Sequence, residues 1–189
     1  GSVSNVGSVV TFLGSATDAD EEESTLSVVW ESDRDGVIFS GSPDSTGQTL
    51  TTSDGLTAGN HAITLTATDG LGLTSTALAV FRVNSMPTTP SVRIVPDPAL
   101  TTDDLSVEFD VHSFDLDSED TVLYRFEWFK GGELISESGT LSLDLTSKHD
   151  SWMVRVTPYD PYGDGEPATA TRVIQNTAPT VLSVEIGPE

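Results

Sequence analysis

The residues best suited to chemistry sit in two short acidic runs. Asp18-Ala19-Asp20 leads into Glu21, Glu22 and Glu23, and Asp115-Leu116-Asp117 repeats the Asp-x-Asp spacing 97 residues later (115 − 18). One further aspartate follows an alternating run in each half, Asp69 after Thr68 and Asp160 after Tyr159. Carboxylates on loops are hard oxygen ligands, the kind Ca²⁺ gathers in sets of about six to eight at roughly 2.3–2.6 Å. The same residues in turns also accept backbone N–H bonds and solvate loops without any metal. Catalysis has less to work with. His149, Asp150 and Ser151 are consecutive, and sequence neighbours cannot form a triad. His61, His112 and His149 are far apart and are expected on polar surface. No paired-histidine zinc motif, phosphate-cradling glycine loop or dinucleotide fingerprint occurs. The chain is expected to be no enzyme and to have no catalytic residues.

Composition sets the partners. Thirty acidic residues against eight basic ones give a net charge of −22. That excludes a phosphate backbone as the natural partner, since DNA or RNA binding needs lysine and arginine. It also argues against anionic membrane surfaces, and no apolar run is long enough for membrane insertion as a helix. The charge is compatible with cation binding, a saline habitat or solubility alone. There is no cysteine, so neither disulfides nor thiol chemistry are available. Abundant Thr, Ser, Val and Gly with scarce Lys is the make-up of an all-β surface protein.

The elements that must position the aspartates show as period-two alternation. Ile63, Leu65 and Ala67 alternate with Thr64, Thr66 and Thr68; Trp152, Val154 and Val156 alternate with Met153, Arg155 and Thr157. Val10 and Phe12 alternate with Val9, Thr11 and Leu13, and Leu141, Leu143 and Leu145 with Ser142 and Asp144. Further strands are expected at 26–31, 37–40, 48–52, 74–83, 92–95, 106–112, 122–129 and 168–174. Asp35-Gly36, Asp54-Gly55, Asp69-Gly70, Gly131-Gly132 and Asp164-Gly165 mark turns between them. No stretch has helical period. Tyr159 and Tyr162 are expected in a turn, and Trp30, Trp128, Trp152, Tyr124 and Phe126 in the core.

The chain repeats itself. Besides the Asp pairs, Trp30 matches Trp128, Val10 and Phe12 match Val107 and Phe109, and Thr68-Asp69 matches Tyr159-Asp160. Two Asn-to-Pro segments, 84–90 and 176–180, read as linkers, each followed by an alternating strand: Val92-Arg93-Ile94 after the first, Val184-Glu185-Ile186 after the second. The predicted organisation is module 1 at 1–84, module 2 at 85–177, and a linker plus first strand of a next module at 178–189. Module 1 has no counterpart of the strand at Val92. Joining the last residue to the first puts Val184 as far ahead of Asp18 as Val92 is ahead of Asp115, 23 residues (115 − 92). Module 1 is therefore expected to lack its first strand. Val184 and Ile186 are expected as an assembly strand that completes module 1 of the next copy.

The run Trp152-Met153-Val154-Arg155-Val156-Thr157-Pro158-Tyr159-Asp160, the turn at Asp164-Gly165 and Asn176-Thr177-Ala178-Pro179 resemble the immunoglobulin-like and PKD-like (cadherin-like) tandem repeats of large prokaryotic surface proteins. Ala16-Thr17-Asp18-Ala19-Asp20 and Leu65-Thr66-Ala67-Thr68-Asp69-Gly70 are similar in module 1. Trp30 is followed by Glu31-Ser32-Asp33 and not by a PKD signature, so the likeness is to the wider group. It implies an all-β chain of two tandem immunoglobulin-like β-sandwiches. It also implies that each acidic loop lies at the end of its module that receives the incoming linker. The implied Ca²⁺ ligands are Asp115, Asp117, Asp160 and Asn84 in module 2. In module 1 they are Asp18, Asp20 and Asp69, with Asn176 of a preceding copy. The expected role is a structural or adhesive repeat of an extracellular, cell-surface fibre or stalk. Its expected partners are neighbouring copies head to tail and a cell-surface or polysaccharide target. A polysaccharide-docking accessory module of a secreted hydrolase is the alternative, and so is a self-assembling filament or surface-layer subunit.

Overall fold

Alternation puts the apolar side chains of a strand on one face, and such faces are buried by packing two sheets together. The computed structural model describes residues 2–117 and 120–187 and contains two such cores. One compact unit holds residues 2–86 with Leu116 and Asp117; the other holds the remaining described residues, 87–115 and 120–187.

The first unit is built from β1 (Ser2–Asn5), β2 (Val10–Ser15), β3 (Ser27–Ser32), β4 (Gly36–Gly41), β5 (Gln48–Ser53), β6 (Gly59–Thr68) and β7 (Thr74–Asn84). One sheet has the order β1-β7-β6-β3-β4, the other is the pair β2-β5. β1 runs parallel to β7, and the remaining pairs are antiparallel. Val28 and Trp30 of β3 and Ile63 and Leu65 of β6 close on Phe12 of β2, with Leu56 and Val83 completing the core.

The second unit comprises β8 (Ser91–Val95), β9 (Ala99–Leu100), β10 (Leu105–Val111), β11 (Leu123–Lys130), β12 (Glu133–Ser136), β13 (Thr140–Leu141), β14 (Ser151–Tyr159) and β15 (Ala168–Gln175). Its sheets are β13-β10-β8 and β12-β11-β14-β15-β9, with β9 parallel to β15. Trp128, Trp152, Val154, Val156, Ile94, Leu105, Leu141 and Ile174 fill the core. Pairing by pairing, β1 to β7 correspond to β9 to β15. Among the described residues no strand of the first unit takes the place of β8, whose register on β10 runs Ile94↔Val107 and Val92↔Phe109.

The structure corrects several expectations. The leucine alternation at 141–145 is not a strand: Leu141 ends β13, and residues 143–145 form a single 3₁₀ turn capped by Ser142 Oγ, which accepts from Asp144 N. Only Leu141 reaches the core, while Leu143 and Leu145 are exposed. A second 3₁₀ turn spans Glu23–Thr25, so short helical turns do occur. Tyr159 belongs to β14, where it pairs with Leu123, and only Tyr162 is in the turn. Tyr124 and Phe126 pack against the core but are only partly buried.

Gly14 shows how tightly β2 meets the opposite sheet. A Cβ there would lie 2.6 Å from Leu65 Cδ2 and 2.7 Å from Trp30 Cζ2. Gly14→Val is expected to overpack the first core and cost about 1–3 kcal/mol. A thermal melt that leaves the unit's transition unmoved would contradict this packing.

Candidate functional site

The acidic end of the first unit is assembled by two connections, the β2–β3 loop and the β6–β7 turn. Asp18 Oδ1 accepts from Asp20 N at 3.1 Å and Glu21 N at 3.3 Å. Asp69 Oδ1 accepts from Leu71 N and Leu73 N, both at 2.8 Å, which closes the turn. Glu21 Oε2 accepts from Gly70 N at 3.0 Å and ties the loop to the turn. Glu21 is a residue the Asp-x-Asp pattern did not single out.

These carboxylates feel one another. Asp18 is held below the usual carboxylate range, first by the backbone N–H of Asp20 and then by a hydrogen bond with the Asp20 side chain. Asp20 is pushed up, first by that side-chain hydrogen bond and then by the negative charge of Asp18, with Glu21 and Asp69 adding to it. Asp18, Asp20 and Asp69 thus share one end of the unit. Among the described residues, no group of three or more Asp, Glu, His or Cys side chains stands at metal-holding spacing.

Asn84 ends β7 and is fully buried, and Asp117 and Asp160 are buried as well. Asp117 Oδ2 accepts from Ser85 N at 2.7 Å and lies 3.9 Å from Arg82 Nη2. Asp160 Oδ1 accepts from Tyr162 N and Gly163 N, both at 2.6 Å, so Asp160 closes its turn as Asp69 does. Asp115 is half-buried in the second unit. Asn176 follows β15, exposed, its Nδ2 donating to Thr177 O at 3.0 Å. Val184 and Ile186 lie outside any strand and are exposed.

His61 overturns its expected place on polar surface: it is 1% exposed, on the inward face of β6. Its Nε2 donates to Thr57 O at 2.7 Å, which leaves Nδ1 to accept from Ser32 Oγ at 2.8 Å. Asp35 Oδ2 stands 3.6 Å from Nδ1. The three residue types are those of a hydrolase triad, but the wiring differs. Ser32 is itself buried and its Oγ also accepts from Arg34 N and Asp35 N, so no substrate carbonyl can reach it. Asp35 accepts from Thr57 N and Thr57 Oγ1 at 2.9 and 2.7 Å. Burial pulls the Asp35 carboxyl up, but those two bonds outweigh it and leave it lowered. The network locks the β3–β4 turn onto the segment before β6. Sequence spacing carried no signal of it, because Ser32 and His61 are 29 residues apart and meet only through strand register.

Among the described residues no helix is long and apolar enough to cross a membrane. No known family and no curated protein matches the sequence. Solved structures do. Fibronectin(III)-like modules of CbhA from Clostridium thermocellum align over 100% of this chain and 95% of theirs, at 15% identity and a TM-score of 0.38. Domains of titin align over 93% of this chain, at 14% identity and a TM-score of 0.56; this chain spans 61% of that one. A Ca²⁺-stabilized adhesin of an Antarctic bacterium aligns over 93% of this chain and 46% of its own, at 16% identity and a TM-score of 0.45. The likeness to the titin domains establishes the fold, a pair of all-β sandwiches of the immunoglobulin-like type.

Proposed function

We propose that this chain is a structural, tension-bearing repeat unit of an extracellular fibre, stalk or surface adhesin. The observation that carries the reading is the parallel pairing of a unit's early strand with its last one. β1 pairs with β7 from Ser2↔Phe81 to Asn5↔Asn84, and β9 pairs with β15 at Ile174↔Ala99 and Gln175↔Leu100. In a parallel pair the start of one strand and the end of the other lie at opposite ends of the ladder. Tension applied where the chain enters and leaves the unit then slides all the bonds at once instead of opening them one by one. The acidic surface suits exposure to solvent and repels nonspecific partners.

The same reading includes Ca²⁺ as a stiffening ion at the acidic end of the first unit. The ligands are Asp18, Asp20 and Asp69, with Glu21 beside them. Asp20 is pushed up first by its hydrogen bond with the Asp18 carboxylate and then by the charges around it, and a divalent cation relieves that crowding. In a thermal melt, millimolar CaCl₂ is expected to raise the first unit's transition relative to excess chelator, by about 2.7 kcal/mol at a hundredfold excess over Kd. Protons compete with the ion. Asp20 has a raised carboxyl, so the Ca²⁺ effect is present above that range and is lost as pH falls through it. Asp18→Asn with Asp20→Asn should abolish it. Identical melts in Ca²⁺ and chelator would remove the ion from the account and leave these aspartates as turn acceptors.

A further inference from the structure

Among the described residues no strand of the first unit takes the place of β8, and the chain carries a second copy of the β8 sequence. In the second unit β8 covers the edge of β10, and its Ile94, 1% exposed, belongs to the core. β8 also reaches the last strand, where Arg172 Nη2 donates to Ile94 O at 2.8 Å. In the first unit β2, the counterpart of β10, pairs among the described residues with β5 alone. The facing stretch of β7, the counterpart of β15, is uncovered: residues 74–80 are all exposed, including Ala77 and Ala79. Between the two lies a groove of about 250 Å³ lined by Ala16, Leu65, Ala67, Ser75 and Ala77.

The segment Asn176-Thr-Ala-Pro-Thr-Val-Leu-Ser-Val-Glu-Ile-Gly-Pro-Glu189 matches Asn84-Ser-Met-Pro-Thr-Thr-Pro-Ser-Val-Arg-Ile-Val-Pro-Asp97 without a gap. Asn176, Pro179, Thr180, Ser183, Val184, Ile186 and Pro188 are identical to the residues 92 positions earlier, and Glu189 keeps the acid of Asp97. Pro188 and Glu189 lie outside the described residues. In the second unit this sequence is β8 and the segment leading into it. At the tail its described residues, 176–187, form no strand, and Val184 and Ile186 are 77% and 93% exposed.

We infer that β2 takes residues 183–187 of a second copy of this chain as its missing antiparallel neighbour. The inference rests on reading the chain as one member of a row of copies. The register follows from β8 on β10 by the repeat: Ile186 opposite Val10, Glu185 opposite Thr11, Val184 opposite Phe12 and Ser183 opposite Gly14. Ile186 and Val184 then face inward as Ile94 and Val92 do, and the residues before them enter the groove between β2 and β7. Unpaired N–H and C=O groups of the β2 edge gain a ladder, as in strand addition to an open sheet.

The absence of native cysteine makes the register testable by disulfide trapping. Thr11 and Glu185 are the outward-facing pair, and opposed antiparallel residues lie about 4.5–5.5 Å apart at Cα, within disulfide reach. Thr11→Cys and Glu185→Cys proteins, mixed and oxidised mildly, should give a mixed disulfide dimer. Thr11→Cys with Ser183→Cys, two residues out of register, should give at least tenfold less. Ile186→Asp added to the Glu185→Cys protein should suppress the dimer by a similar factor while leaving the melt of both units intact. Three results would each overturn the proposal. One is no mixed dimer, another is equal yields at 183 and 185, and the third is closure of a Thr11→Cys, Glu185→Cys double variant onto itself as a monomer. With both units still folded, such a result removes this contact and leaves the reading as a structural module to its own tests.

Discussion

Trp128→Ala is expected to unfold the second unit at moderate temperature while the first unit keeps its own transition. Trp128 is fully buried at the centre of β11, paired with Val154, and its Nε1 donates to Ser138 O at 2.9 Å. Truncation removes one of the two tryptophans of that core, leaves a cavity and orphans a carbonyl acceptor. Core tryptophan-to-alanine changes cost about 3–5 kcal/mol. In a unit of this size that corresponds to a fall in Tm on the order of 20 °C. Trp30 is the control for locality: it belongs to the other core, so its signal should report an unchanged first unit. Calorimetry resolving the two transitions would check this. A joint loss of both would show that the cores do not fold separately.

His61→Ala should destabilise the first unit strongly. It takes the acceptor away from the buried Ser32 hydroxyl and the donor away from Thr57 O. Each buried polar group left unmade costs about 1–3 kcal/mol, and the cavity adds to that. Ser32→Ala should be milder, about 1–3 kcal/mol, because it leaves almost no cavity although it removes the donor to His61 Nδ1 and the acceptor for Arg34 N and Asp35 N. Chemical denaturation of the two variants would rank them. A His61→Ala protein as stable as the parent would mean that the network contributes nothing to the fold.

What could be read from the sequence depended on how far apart the cooperating residues lie. Trp152, Val154 and Val156 declared their inward face because alternation is a local property, and β14 places all three in the core. The aspartates after Thr68 and Tyr159 declared turns for the same reason. The leucines at 141–145 misled because a 3₁₀ turn with Ser142 and Asp144 at its start has the same apolar spacing as a strand. β1 was invisible because Ser2-Val3-Ser4-Asn5 has one large apolar side chain, and its place is fixed by pairing with residues about 80 positions away. The burial of His61 was illegible because the partner that makes it tolerable comes from another strand.

The most direct test of the account is to pull single molecules of this chain by their ends. If the parallel β1–β7 and β9–β15 ladders resist in shear, the trace shows two discrete force peaks. Each releases a length on the order of 300 Å, as expected for a folded unit of some ninety residues at about 3.3–3.6 Å per residue. Smooth extension without peaks, or a single peak releasing the whole chain, would contradict the reading of this protein as a row of separately folded, tension-bearing modules.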